Sequence, residues 1–162
     1  MKFLDLYGDL SKYTFENDLD ISNQGLTSLE GMPHTIVGTL NCSGNKLITL
    51  KGMPLTIDGH CLINDNKLTS LKGIAKAVNG NIHCDMNKLT SLEGIPEKLY
   101  GIIYCLDNPN KYLQKEFYFR LNNPQLPEHM IKIKMYLKTK SEYYLTQKEY
   151  DNYLEKFPEY LI

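Results

Sequence analysis

Between residues 15 and 108, the order of apolar and polar positions repeats every 21 residues without an insertion. The motif Leu-Thr-Ser-Leu-Glu-Gly at 26–31 returns, with small changes, at 47–52, 68–73 and 89–94. A fixed period of this length is typical of solenoids, in which each repeat is one coil and buries its apolar face against its neighbours. The pattern therefore predicts a β-rich solenoid of about four and a half coils.

Apolar residues alternate with period two in the first half of each repeat, which predicts a short strand with one side facing the core. Three apolar columns run in register: Ile36, Ile57, Val78 and Leu99; Leu40, Cys61, Ile82 and Ile103; and Cys42, Ile63, Cys84 and Cys105. All four cysteines fall in these columns, so we expect them to pack as reduced core residues rather than to form disulfides.

Two further columns mark the corners of the coil. Asparagine closes each predicted strand at Asn45, Asn66, Asn87 and Asn108. Glycine marks the next corner at Gly31, Gly52, Gly73 and Gly94. We expect the asparagine amides to be buried and to hydrogen-bond backbone groups of the adjacent coil, and the glycines to adopt positive φ.

The pattern Leu-x-Cys/Ile-x-x-Asn-Lys-Leu-x-x-Leu resembles the leucine-rich repeat, and most of all its short bacterial and phage variants with Asn-Lys-Leu-Thr-Ser-Leu-x-Gly-x-Pro. The resemblance covers roughly residues 15–108. It implies a curved stack of coils with parallel strands along a concave face, and binding of another macromolecule there. The abundance of asparagine and lysine and the lack of tryptophan suit an AT-rich genome, as in many phages and some bacteria.

The flanking segments differ from the repeats. Residues 1–14 are apolar enough to form an N-terminal cap over a degraded first coil. Residues 109–162 lose the period and are rich in tyrosine. A capping box at 146–149, followed by apolar residues at helical spacing, predicts a helix there. We expect this tail to be a helical C-terminal cap, an interaction or oligomerisation element, or both.

The net charge and the composition of the chain argue against several classes of function. A net charge of -1 gives no general attraction to nucleic acid or membranes. No apolar run reaches the roughly 18 residues of a membrane span, and the N-terminus does not read as a signal peptide, so a cytoplasmic protein is expected. We recognise no catalytic triad, paired carboxylates or phosphate loop, and therefore expect no enzyme activity and no cofactor.

The outward positions of the predicted strands vary from coil to coil, which makes them candidates for partner binding. They are Thr39, Asn41, His60, Leu62, Asn64, His83, Asp85, Ile102, Tyr104 and Leu106. His60, His83 and Asp85 are of the types that zinc prefers. Polar residues on a binding surface are the simpler interpretation, and no metal site is predicted.

The sequence therefore predicts a non-catalytic protein–protein interaction module. The resemblance and the composition suggest one sharper hypothesis, a phage protein that blocks a host defence or regulatory factor in the host cytoplasm. Two alternatives stay open. A lysine column at Lys46, Lys67 and Lys88 offers phosphate contacts to nucleic acid, although a solvated edge explains it as well. The tail also allows a self-assembling structural protein.

Overall fold

The computed structural model describes residues 1–90, 92–101 and 103–109. These residues form one short helix, α1 (Phe3–Tyr7), and strands of two residues each. One set of strands is β1 (Thr14–Phe15), β3 (Thr35–Ile36), β5 (Thr56–Ile57), β7 (Ala77–Val78) and β9 (Lys98–Leu99). The other set is β2 (Leu19–Asp20), β4 (Leu40–Asn41), β6 (Cys61–Leu62), β8 (Ile82–His83) and β10 (Ile103–Tyr104).

The two sets form two separate parallel sheets. The odd-numbered strands make the first sheet and the even-numbered strands the second, each in sequence order. Every strand pairs with its equivalent one coil along the chain, so that Ile36 lies beside Ile57 and Leu62 beside His83. The predicted β-solenoid with parallel strands is confirmed, with about four turns. The helical cap predicted within 109–162 falls almost wholly on residues outside the described part.

The prediction of one strand per coil is wrong, because the structure divides that stretch between the two sheets. Ile36, Leu40 and Cys42 all point inward with 0% exposure, so the predicted alternation of burial holds. The chain bends between them, at Gly38. A Cβ placed on Gly59 would lie 2.6 Å from the carbonyl carbon of Gly38. The backbones of neighbouring coils therefore approach closely at this bend, where no side chain fits between them. The chain turns here from the first sheet into the second.

The asparagine column is buried and bonds the neighbouring coil, as predicted. The Nδ2 atom of Asn66 donates to the carbonyl oxygens of Cys42 in the preceding coil and Ile63 in its own coil, at 3.0 and 3.2 Å. Its Oδ1 atom accepts the backbone N–H of Leu47 at 3.0 Å. Since Asn45, Asn87 and Asn108 repeat this arrangement, the column satisfies backbone groups that each corner would otherwise leave unpaired.

The remaining columns also match their predicted roles. Gly31, Gly52, Gly73 and Gly94 have φ values of 87° to 92°. All four cysteine thiols are buried and free, which confirms that they pack in the core. Burial raises the pKa of Cys61 to about 12 and the pKa values of Cys42 and Cys84 well above the ordinary value. These thiols are therefore neutral at physiological pH.

Helix α1 lies at the N-terminal end of the solenoid. The backbone N–H groups of Phe3 and Leu4 donate to the carbonyl oxygens of Ser28 and Glu30, both at 3.0 Å. The Phe3 ring is 1% exposed and belongs to the core. The first coil is thereby covered at its open end. Within the described residues, no helix is both long and apolar enough to cross a membrane.

Candidate partner-binding face

The outward side chains of the second sheet form a row with one residue per strand, which we call the outer row. Its members, in order along the stack, are Asp20, Asn41, Leu62, His83 and Tyr104. The row begins with an exposed carboxylate and an amide and continues with half-buried apolar and aromatic side chains. Because parallel neighbours are about 4.8 Å apart, equivalent side chains of successive coils lie side by side along the row.

The two rings of the outer row are stacked. The His83 and Tyr104 rings have centroids 4.4 Å apart and an angle of 14° between their planes. Asp85 lies beside them, with its Oδ2 atom 3.9 Å from Nδ1 of His83. The side chains of His83 and Asp85 are 35% and 20% exposed, so the cluster is partly withdrawn from water.

The environment of His83 favours its neutral form. Partial burial lowers the pKa of His83, the carboxylate of Asp85 raises it, and His60 lowers it again. The net effect is a pKa below the ordinary value for histidine. The imidazole that stacks on Tyr104 at neutral pH is therefore uncharged, which suits a ring packed flat against another ring.

A second row precedes the outer row by two residues and serves the fold. The Asp18 Oδ1 atom accepts the backbone N–H of Thr39, and the Thr39 hydroxyl oxygen accepts that of His60, at 2.6 and 3.3 Å. The Nδ1 atom of His60 then accepts the backbone N–H of Asn81 at 2.9 Å. We call Asp18, Thr39 and His60 the acceptor ladder. Because Nδ1 of His60 accepts, the ring proton is on Nε2.

The acceptor ladder changes the interpretation of two predicted site residues. The sequence suggests that outward positions are not required by the repeat, and the structure shows that Thr39 and His60 each bond the next coil. Asp85 has a similar role, because its Oδ1 atom accepts the backbone N–H of Leu106 at 2.8 Å. These side chains hold neighbouring coils in register in addition to any contact with a partner.

The structure brings most of the predicted site residues onto this one face. Asn41, Leu62, His83 and Tyr104 are in the outer row, Thr39 and His60 are in the acceptor ladder, and Asn64, Asp85 and Leu106 are on the opposite side of the outer row. Ile102 lies outside the described residues. Met86, which the sequence suggests as part of an apolar patch with Ile102, Tyr104 and Leu106, is 50% exposed and follows strand β8.

Of the carboxylates of this face, Asp85 is the one that was among the predicted site residues. The segments that carry the second sheet are 17–24, 38–45, 59–66, 80–87 and 101–108. Their charged residues other than histidine are Asp18, Asp20, Asp65, Asp85 and Asp107. Every lysine of residues 1–109 lies elsewhere, and Lys46, Lys67 and Lys88 are exposed at the adjoining corner. Counting signs of charge by position in the repeat, rather than along the chain, would have found this asymmetry.

The histidine and aspartate side chains of this face are also of the types that bind metal ions. Within the described residues, no group of three or more His, Cys, Asp or Glu side chains is arranged to hold a metal ion. The Nδ1 atom of His60 is already occupied by the N–H of Asn81. The arrangement presents a regular surface with aromatic and carboxylate groups, which suits recognition.

Comparison of the chain with protein-family models, with curated proteins and with solved structures found no match.

Proposed function

We propose that this protein is a non-catalytic binding module that holds another protein against the outer face of the second sheet. The observation that carries the proposal is the stack of His83 on Tyr104, continued by Leu62 on the adjacent strand. Aromatic side chains next to aliphatic ones are the typical anchors of protein interfaces, where a few such residues supply most of the binding energy.

The rigidity of this face supports the proposal. The acceptor ladder, the Asp85–Leu106 hydrogen bond and the asparagine column fix the backbone on both sides of the outer row. A surface that is already ordered loses little conformational entropy when a partner binds. Loops would lose more, and the outer row lies on strands.

We further infer that the coils are short leucine-rich repeats and that the partner is a host protein, with the chain acting as a phage-encoded inhibitor in the host cytoplasm. The 21-residue period and the buried asparagine at each corner support the repeat assignment. The sequence resemblance and the composition support the phage origin. No enzyme activity and no cofactor form part of the proposal.

A nucleic-acid partner is disfavoured by the charges of this face. Lys46, Lys67 and Lys88 are exposed, but the sheet beside them carries carboxylates that repel phosphate groups. Self-assembly through the tail concerns residues outside the described part.

The test is affinity capture from bacterial lysate with full-length protein and two double variants, read by mass spectrometry. Leu62→Ala/Tyr104→Ala removes anchors of the outer row. The control, Val37→Ala/Leu55→Ala, truncates two exposed apolar side chains next to strands of the first sheet. We expect a protein that the wild type and the control retain and the outer-row variant loses.

Thermal melts of all three proteins are the check that both variants remain folded. Equal retention by the two folded variants, or no specific protein captured by the wild type, would contradict the proposed function.

A further inference from the structure

We propose, resting on the proposed function, that the segment the outer face recognises is an extended, positively charged polypeptide, with lysine or arginine side chains meeting its carboxylates. The docking surface is the outer row together with the carboxylates of Asp20, Asp65, Asp85 and Asp107. Its occupant is a basic stretch of a separate protein.

Apart from histidine, the charged residues within the second-sheet segments are all aspartates, and Lys46, Lys67 and Lys88 lie just outside these segments. The second-sheet segments contain five aspartates and no lysine or arginine, while lysines are frequent in the other segments of residues 1–109. Chance placement of charges on a repeat protein mixes the signs, as Lys72 and Glu93 do in their 2.8 Å ion pair on another side of the coil. A one-signed face steers and orients a partner of opposite sign.

The row of carboxylates has a length that an extended chain can cover. Asp65, Asp85 and Asp107 lie on three successive coils, and coils are about 4.8 Å apart. Asp20 lies three coils before Asp85, a separation of about 14 Å. Side chains on one side of an extended peptide repeat every ~7 Å, so a stretch of six to eight residues with alternate cations can span the row.

Each of these carboxylates keeps acceptor capacity. The Oδ1 atom of Asp85 accepts the Leu106 N–H, and its Oδ2 atom lies on the His83 side. Asp20 accepts the Ser22 N–H through Oδ1, and that bond lowers the pKa of Asp20, so it is ionised at neutral pH. Asp65 and Asp107 are exposed at the corner. Charge-assisted hydrogen bonds from lysine or arginine are the strong kind available to them.

The outer row suits the rest of such a side chain. Lysine and arginine have aliphatic stems that pack on apolar surface while their charged ends remain at the edge. Leu62 and the stacked rings of His83 and Tyr104 provide that surface between the carboxylates. Aromatic rings also attract cations through their π systems.

The experiment measures fluorescence anisotropy of a labelled peptide with four Arg-Ser repeats against full-length protein, at low salt and at about 0.15 M salt. The matched peptide has four Glu-Ser repeats. The charge variant is Asp65→Asn/Asp85→Asn/Asp107→Asn, in which asparagine keeps each acceptor oxygen and tolerates the positive φ of 65 and 107. The control variant, Glu16→Gln/Asp58→Asn/Glu97→Gln, removes as many charges elsewhere.

We expect the arginine peptide to bind the wild type and the control variant within about twofold of each other, and the charge variant at least about tenfold more weakly. The glutamate peptide should not bind. Equal weakening by both variants would indicate general attraction to net charge and would overturn the proposal. Absence of arginine-peptide binding to the wild type would also overturn it.

One further variant separates a foreign partner from this chain's own basic stretch. Residues 129–140 contain Lys132, Lys134, Lys138 and Lys140 without an acid. If the peptide binds only after these four lysines are changed to serine, the occupant of the face is that segment of this chain. That result would overturn the assignment to a separate protein.

The two proposals fail differently. If a captured protein is lost by Leu62→Ala/Tyr104→Ala but retained by the charge variant, the face binds protein and the inferred chemistry of the partner is wrong. If neither variant loses it, the proposed function itself fails.

Discussion

His83 and Tyr104 belong to different coils, 21 residues apart in sequence, yet their rings are stacked at 4.4 Å. The pairing follows from the parallel register, which places equivalent positions of successive coils side by side. No local motif joins the two residues. The repeat therefore builds a composite surface from side chains that the sequence separates, and the protonation of His83 is part of that surface.

The pKa of His83 is expected to lie below the ordinary value for histidine, because partial burial penalises the imidazolium. Asp85→Asn should lower this pKa further, since the carboxylate raises it, and His60→Gln should raise it. NMR titration of the histidine ring protons measures the pKa of His83 in the wild type and in both variants. Asp58→Asn is the control and should leave the His83 resonance unmoved. A rise after Asp85→Asn would contradict this account.

The same shift makes stability depend on pH. Between the folded and unfolded pKa values of His83, the unfolded chain binds more protons, so stability rises with pH. This contribution is complete above the unfolded value and is lost as the pH falls through the folded value. Comparing the pH dependence of chemical denaturation of the wild type with that of His83→Gln isolates it. An identical dependence in both proteins would be evidence against a depressed pKa.

Asn66→Ala should lower the free energy of unfolding by about 1–3 kcal/mol, because it leaves buried backbone groups of two coils without partners. Urea denaturation measures the loss. Lys67→Ala, at the next and exposed position, is the control and should change stability by less than about 0.5 kcal/mol. Comparable losses in the two variants would show that the amide network is not what stabilises the corner.

The sequence predicted the asparagine and apolar columns because residue type is constant there. A buried side-chain amide that must both donate and accept hydrogen bonds has no common substitute. Asparagine therefore recurs every 21 residues, as at Asn45 and Asn66, and the column can be recognised in the sequence. The same constancy predicted the glycine corners with positive φ. Burial and backbone geometry restrict the choice of residue, so these features can be read from composition by column.

The acceptor ladder could not be predicted in that way. Asp18, Thr39 and His60 share only an acceptor atom at the right reach, and three chemically different side chains provide it. Their variety suggested that the position was not required by the fold. The split into two sheets was missed for a related reason, because alternation of burial continues through the bend at Gly38.

Gly59→Ala should lower the free energy of unfolding by at least about 3 kcal/mol, the upper end of the usual range for overpacking a core. The new Cβ would lie 2.6 Å from both the carbonyl carbon of Gly38 and the amide nitrogen of Thr39, and a backbone neighbour on a paired coil cannot move aside cheaply. Gly25→Ala is the comparison, because nothing lies within 4 Å and only its φ of 68° opposes a side chain. The free energy of unfolding of Gly25→Ala should fall by about 1–2 kcal/mol, as measured by thermal or urea denaturation. A Gly59 variant as stable as the Gly25 variant would mean that the coils can separate at this bend.

Met86→Asn should stabilise the protein by about 0.5–1 kcal/mol. Met86 has a φ of 50°, and the equivalent positions of the other coils are Asn23, Gly44, Asp65 and Asp107, which are residues that tolerate this region. A long side chain does not, and Met86 is 50% exposed, so the fold gains little from its burial. Denaturation of Met86→Asn beside Met86→Leu, which keeps the strain and should match the wild type, measures the difference.

The same variant links the strain to the proposed binding face. An exposed methionine beside the outer row is an adaptable contact for a partner, and stability is often lost where function needs a particular side chain. If Met86 contacts the partner, Met86→Asn should raise the melting temperature and weaken capture of the protein that Leu62→Ala/Tyr104→Ala loses. A variant that is more stable and binds as well as the wild type would place Met86 outside the interface. A destabilised variant would show that thioether contacts outweigh the backbone strain.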